Sequence, residues 1–304
     1  MSRSSPRTLS RPPSLTRPAR TGSRRRSTRG RRAGSPRGEP RRRLRAPSGS
    51  MEPMSTAHRT NSPRGTAPTP PRTVAVAHRG DPYQIRENTL PSLRSALDRG
   101  ADAVEVDVRV TRDGVPMLLH DATLERLWGH ERRLASLPAD AVTDLTAGRL
   151  PRLDEALRVT LDSRLMIDLP GTPSRRDVAA MVGTVQESGA ADRVYWSGDA
   201  ATMLLVRELD GEAEIALTWT TLAPPRPALL SAVRPRWLNY RFGLVGRDLV
   251  DRVHRDGLLM SVWTPDTKRT MRRLLALGVD SVTTNRIDVL RGLLGPATRP
   301  GEAT

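Results

Sequence analysis

The chain has 304 residues, with 50 Lys and Arg against 33 Asp and Glu, a formal charge of +17 and no cysteine. That length holds one large domain or two ordinary ones. The lack of cysteine excludes disulfides and thiolate metal sites and agrees with a cytoplasmic protein, and no run approaches the ~18 apolar residues that span a bilayer.

The charge is concentrated at one end. Residues 1–50 hold sixteen Arg and one acid, Glu39, and so carry fifteen of the seventeen net charges. Residues 1–72 are rich in Arg, Ser and Pro. They have too little apolar surface to offset the entropy of ordering, and a disordered tail and linker is expected. Such an arm could contact nucleic acid or an anionic membrane surface. The plainer expectation is a solvated tail, or sequence upstream of a start at Met51 or Met54, so nucleic acid is expected only through this segment, if at all. The Arg runs at 24–26, 31–32 and 41–43 lack the apolar stretch that a twin-arginine export signal requires.

A folded domain is expected over 73–296, followed by a short tail over 297–304. Thr73–His78 reads as a buried strand, Leu90–Arg99 as a helix stopped by Gly100, Ala103–Val110 and Val115–Leu119 as strands around the Asp113–Gly114 turn. Leu153–Val159 reads as a helix, Arg164–Leu169 a strand, Ser174–Ser188 a helix, Arg193–Trp196 a strand, Ala200–Leu209 a helix and Glu214–Trp219 a strand. The pattern ends with strand Trp237–Arg241, helix Arg247–Asp256, strand Leu258–Trp263, helix Thr267–Leu277, strand Asp280–Thr284 and helix Arg286–Leu294. Repeated βα units of this number favour an α/β (β/α)8 TIM barrel. A doubly wound open sheet is the alternative, and no glycine-rich loop follows the first strand to support it.

In such a barrel the C-terminal strand ends face the active site. His78-Arg79 closes the first strand, a place suited to proton transfer beside an anion. Glu105 and Asp107 alternate inside a Val-rich strand, so both side chains share one face. Two buried carboxylates side by side are costly unless a cation lies between them, and a hard divalent ion with oxygen ligands would meet that need. The competing explanation is a solvated edge strand. His120-Asp121 ends the next strand and offers a second acid/base group. Asp168 is a further carboxylate in an apolar strand and a candidate third ligand. Trp263 stands where an indole can stack on a ligand, while His58, His130 and His254 read as surface residues.

Together these segments resemble the glycerophosphodiester phosphodiesterase family. The matching stretches are His78-Arg79-Gly80, Glu87-Asn88-Thr89, Glu105-Val106-Asp107-Val108, Thr111-Arg112-Asp113-Gly114, His120-Asp121-Ala122-Thr123-Leu124, Pro151–Leu157, Val262-Trp263-Thr264 and Gly278-Val279-Asp280. The resemblance implies a TIM barrel that uses one divalent cation, Ca²⁺ or Mg²⁺, to hydrolyse a small glycerophosphodiester to glycerol 3-phosphate and an alcohol, through a cyclic phosphate that water opens. It implies His78 and His120 as the acid/base pair, Glu105 and Asp107 as metal ligands, Arg79 as a phosphate contact and Glu87 as a further pocket residue.

Three departures mark this chain. Asp168-Leu169-Pro170 stands where the family usually reads Glu-x-Lys, Arg86 replaces a usual Pro, and Thr284-Asn285 replaces Thr-Asp. The missing Lys leaves one positive charge to be found, and Arg241, at a strand end, is the expected substitute. A lysophospholipase D-like activity on single-chain lipids and a weakened barrel that only binds a phosphorylated ligand are the alternatives. The sequence does not set the oligomeric state.

Overall fold

The computed structural model describes residues 72–295. The expected tail and linker over 1–72, except for Arg72, and the expected C-terminal tail over 297–304 lie outside the described residues.

Eight strands alternate with eight helices. The strands are β1 (Val74–His78), β2 (Ala103–Val110), β3 (Arg164–Asp168), β4 (Val194–Gly198), β5 (Glu214–Trp219), β6 (Trp237–Arg241), β7 (Leu259–Trp263) and β8 (Ser281–Thr284). Each pairs in parallel with its successor, and β8 returns to β1 through Val74↔Ser281 to Ala77↔Thr284. Closure removes the sheet edges, and the result is the expected (β/α)8 barrel. The helices are α1 (Leu90–Asp98), α2 (Leu153–Val159), α3 (Arg175–Glu187), α4 (Ala200–Leu209), α5 (Pro227–Val233), α6 (Arg247–Arg255), α7 (Lys268–Leu277) and α8 (Ile287–Leu294). No helix among the described residues is long and apolar enough to cross a membrane.

Local chemistry sets several boundaries. Ser174 and Asp177 form a reciprocal capping box at the start of α3, Asp199 accepts from the Thr202 amide at α4, and Thr267 accepts from the Thr270 amide at α7. Each cap satisfies an amide that has no partner inside the helix and contributes about 1 kcal/mol.

The period of two along each strand divides two apolar layers. Outward residues such as Val104, Val106, Leu165, Ile167 and Val262 pack with the helices in the main core. Inward residues Val76, Ala103, Met166, Tyr195, Ala216 and Trp237 fill the lower barrel. At the N-terminal end, Glu214 is held by Arg164 at 2.9 Å, Arg236 at 3.2 Å and the Trp237 indole N–H at 2.7 Å. Above the apolar plug the inward positions turn polar, and they become the floor of a cavity.

One excursion interrupts the repeat between β2 and α2. Strand Pro116–Leu118 folds back antiparallel on β2, with Val108 opposite Leu118. A hairpin of Thr123–Leu124 and His130–Arg133 and a helix over Ala139–Thr146 follow. Met117, Leu119, Leu124, Leu134, Val142 and Leu150 give this excursion its own small core. Truncating Leu119 to Ala would cost about 2–5 kcal/mol and would loosen the neighbouring His120. The Ala139–Thr146 helix has no clear sequence signal because Val142, Thr143 and Thr146 are weak helix formers. It is started from outside, by the Asp113 carboxylate accepting the Ala139 amide at 3.0 Å. The seven residues of α5 are also short of a recognisable helical period. His130, expected at the surface, opens a hairpin strand.

Candidate active site

At the C-terminal mouth a cavity of about 300 Å³ is lined by His78, Arg79, Glu105, Asp107, His120 and Asp168, among others. The parallel register brings the groups there: His78 lies opposite Glu105, and Asp107 opposite Asp168. Glu105, Asp107 and Asp168 each offer an oxygen within 4.8 Å of the others. The edge-strand explanation of Glu105 and Asp107 therefore fails, since both are buried in the closed sheet.

The three carboxylates strain against one another. Asp168 is pushed up to about 7, mainly by burial and then by the Asp107 charge. Burial raises Glu105 well above the usual carboxylate range, and Asp107 and Asp168 add to the effect. Arg79 partly offsets this charge, with its Nε 2.9 Å from Asp107 Oδ2 and its backbone amide donated to Glu105 at 2.8 Å. Asn88 donates to the same Asp107 oxygen at 2.8 Å. A set of hard oxygen donors with more negative charge than the protein neutralises suits a divalent cation.

The loop after β1 takes an unusual path to achieve this. Arg79 has φ 59° and Gly80 φ 87°. At Gly80 the left-handed backbone and a collision between any Cβ and Ser92 both require glycine. Arg79 also pairs with Glu87 at 2.9 Å, and Glu87 in turn meets Arg126 at 2.7 Å. Glu87 thus holds the arginine that reaches the cavity and is not itself among the lining residues.

The histidines are held in different ways. His78 Nδ1 lies 2.7 Å from Asn285 Oδ1, and the Asn285 amide donates both its N–H and its Nδ2 to Asp266, at 3.0 and 2.8 Å. Because Asn285 Nδ2 is committed to a carboxylate, its oxygen accepts from His78. The proton then sits on Nδ1, leaving Nε2 unprotonated, 4.0 Å from Glu105. Burial and then the Arg79 charge lower the His78 pKa and keep the ring neutral. His120 Nδ1 pairs with Asp121 at 2.7 Å, and Arg126 holds the other Asp121 oxygen at 2.5 Å. The Arg126 hydrogen bond leads the pull that brings Asp121 down to about 2.

Of the other expected residues, Trp263 lines the cavity. Arg241 ends β6 exposed, in the inward phase but outside the lining set, so the structure does not bring it to the other groups. The same strand contributes Asn239 instead. Asn239 Nδ2 donates to Thr218 at 3.2 Å, while its buried oxygen, the Thr283 hydroxyl and the Trp263 indole N–H have no partner among the described residues. Ser197, Thr218, Asn239 and Thr283 were not singled out from the sequence. Their signal was the inward phase of each strand, which becomes readable only when the register is known.

A trio of hard oxygen donors beside two histidines in a polar cavity at a barrel mouth fits a hydrolase of an anionic substrate, the phosphodiesterase class. The chain belongs to the glycerophosphoryl diester phosphodiesterase family, whose model matches residues 78–289, and its activity is that family's hydrolysis of glycerophosphodiesters. A glycerophosphodiester phosphodiesterase of Caldanaerobacter subterraneus subsp. tengcongensis is 25% identical over 244 residues, covering 73% of this chain and 98% of its own. An Oleispira antarctica phosphodiesterase, solved in complex with the product sn-glycerol-3-phosphate, matches at TM-score 0.67 and 20% identity, over 73% of this chain and 96% of that one. The Thermotoga maritima glycerophosphodiester phosphodiesterase matches at TM-score 0.64 and 20% identity, over 73% and 98% of the two chains.

Proposed function

We propose that this chain releases glycerol 3-phosphate and an alcohol from small glycerophosphodiesters, in a reaction that needs one divalent cation, Ca²⁺ or Mg²⁺, held by Glu105, Asp107 and Asp168. The observation that carries the reading is the trio of carboxylates within 4.8 Å beneath a cavity that both histidines line. A cation bound there would draw charge from a nonbridging phosphoryl oxygen as the transition state forms.

The chain's own residues supply the rest. His78 Nε2 takes the proton from the substrate hydroxyl next to the phosphate, and that oxygen forms the new bond to phosphorus. His120 delivers a proton to the departing alkoxide, with Asp121 stabilising the ring while it is charged. The resulting cyclic phosphate is opened by water with the two roles reversed. Arg79 contributes positive charge beside the phosphate, and Glu87 keeps its guanidinium aimed. Asn285 acts as a positioning residue through His78.

The test is release of glycerol 3-phosphate from glycerophosphocholine by the full chain with Ca²⁺, with Mg²⁺ and with chelator. Turnover that requires a metal is expected, and its absence under all three conditions would overturn the proposal. A lysophospholipid belongs in the same assay. Tyr83 and Leu222, 59% and 63% exposed, sit in the loops after β1 and β5 on the mouth side, where an acyl chain could rest.

A further inference from the structure

Beside the active-site cavity lies a second one of about 400 Å³, and the two share Pro170 and Gly171 as a common wall. This is the strand end at which the resemblance leads one to expect a lysine. With Pro170 and Gly171 in its place, the wall carries no charge and little bulk. A Cβ built at Gly171 would come within 3.8 Å of both terminal nitrogens of Arg109.

Arg109 follows Asp107 by two residues on β2 and so shares the inward phase of the carboxylate ligands. Its Nε is anchored on the His120 carbonyl at 2.7 Å. Neither terminal nitrogen has a hydrogen bond or a salt bridge among the described residues. Arg133 lines the same second cavity from the hairpin strand, also without a carboxylate partner among the described residues. Asp177 is the one acid on that wall, and its carboxylate is turned to the Ser174 amide and hydroxyl at the cap of α3. Among the described residues, two guanidinium groups thus line one cavity whose acid is turned away to a helix cap. Arginine presents paired N–H donors that match carboxylate and phosphate oxygens.

We infer that this second cavity is a specificity subsite, in which Arg109 and Arg133 receive a second anionic group of the substrate, a carboxylate or a phosphate monoester, while the scissile diester occupies the catalytic cavity. This rests on the glycerophosphodiesterase reading above and adds the substrate class. The enzyme is thereby tuned to diesters whose alcohol is itself negatively charged, and the missing lysine is replaced from a different strand and aimed at a different anion.

Two matched substrate pairs isolate the effect: glycerophosphoinositol phosphate against glycerophosphoinositol, and glycerophosphoserine against glycerophosphoethanolamine. Within each pair only the added anion differs. The expected kcat/KM ratio favours the anionic member about tenfold, the scale of one charge-assisted hydrogen bond, and falls as salt rises. Arg109→Gln should bring the ratio near one, and Arg133→Glu, on an exposed strand, should push it below one. Loosening of His120 alone would slow both members equally and leave the ratio at its wild-type value. Equal ratios in the wild type and both variants, with turnover intact, would overturn the subsite and leave the family reading standing. Preference for the phosphate pair alone narrows the anion to a phosphate. Failure to turn over any of the four substrates with Ca²⁺ or Mg²⁺ would instead overturn the proposed function, and the subsite with it.

Discussion

The two ends of the barrel treat buried acids in opposite ways. At the N-terminal end, burial alone would raise the Glu214 pKa, but the Trp237 and Arg164 hydrogen bonds and the Arg164 and Arg236 charges outweigh it and hold it below the usual value. At the mouth, Asp168 and Glu105 are raised, because burial and neighbouring carboxylates outweigh the nearby Arg79. The same residue type, inside the same sheet, is saturated by the protein at one end and left in excess at the other. Folding explains the first arrangement. The second costs stability, and the proposed cation would offset it.

Substitutions at the mouth should have the largest effects. Asp107→Asn and Glu105→Gln are expected to lower metal-dependent kcat by roughly 10³-fold, several kcal/mol of transition-state stabilisation. His78→Gln and His120→Gln are each expected to lose about 10²–10⁴-fold. Steady-state assays at saturating cation read both.

The other end should answer in stability. Glu214→Gln strands Arg164 and Arg236 and is expected to destabilise the fold by about 2 kcal/mol, less than a fully buried pair because water reaches the site. Denaturant midpoints measure this, and kcat of the folded fraction should not change. The pH dependence follows from the direction of the shift. Because the folded pKa of Glu214 lies below its unfolded value, its contribution is complete above about pH 4.3. It fades as pH falls through the folded pKa. The gap between wild type and Glu214→Gln should therefore close in acid, and a gap that widened would contradict the account.

Two smaller effects refine the picture. Asn285→Ala frees the His78 ring and should lower kcat about tenfold, with KM little changed, as expected for a lost hydrogen bond of ~1.4 kcal/mol. Asp168→Asn relieves like-charge repulsion and should raise the Tm of chelated protein by about 2–4 °C. It should also shrink the further rise that Ca²⁺ or Mg²⁺ gives to the wild type, since a ligand that binds only the folded state stabilises it.

Much of this was readable in the sequence, for identifiable reasons. The strand carrying Val104-Glu105-Val106-Asp107-Val108 declares both its buried face and its paired inward carboxylates, because period two and burial act on neighbouring residues. Ser174, Gly100 and Gly278 likewise mark helix ends through local chemistry. What was not readable depends on contacts between distant segments. The helix Ala139–Thr146 is started by Asp113, 26 residues away, and Asn285 reaches His78 across 207 residues. Arg241 was expected at the phosphate from its strand-end position alone. That position is the right phase but one layer too high, and Asn239 occupies the place below it. Arg109 gave no signal in the sequence because an Arg in a strand looks like a solvated side chain until the fold-back strand is seen pairing beside it and Gly171 is seen against its guanidinium.

The most direct test of the excess of acid at the mouth is calorimetric titration of the chelator-treated full chain with Ca²⁺ and Mg²⁺, beside Asp107→Asn and Glu214→Gln. Binding of one ion per chain is expected in the wild type and in Glu214→Gln, and should be lost in Asp107→Asn. No binding of either ion by the wild type, or binding that survives Asp107→Asn unchanged, would contradict the account.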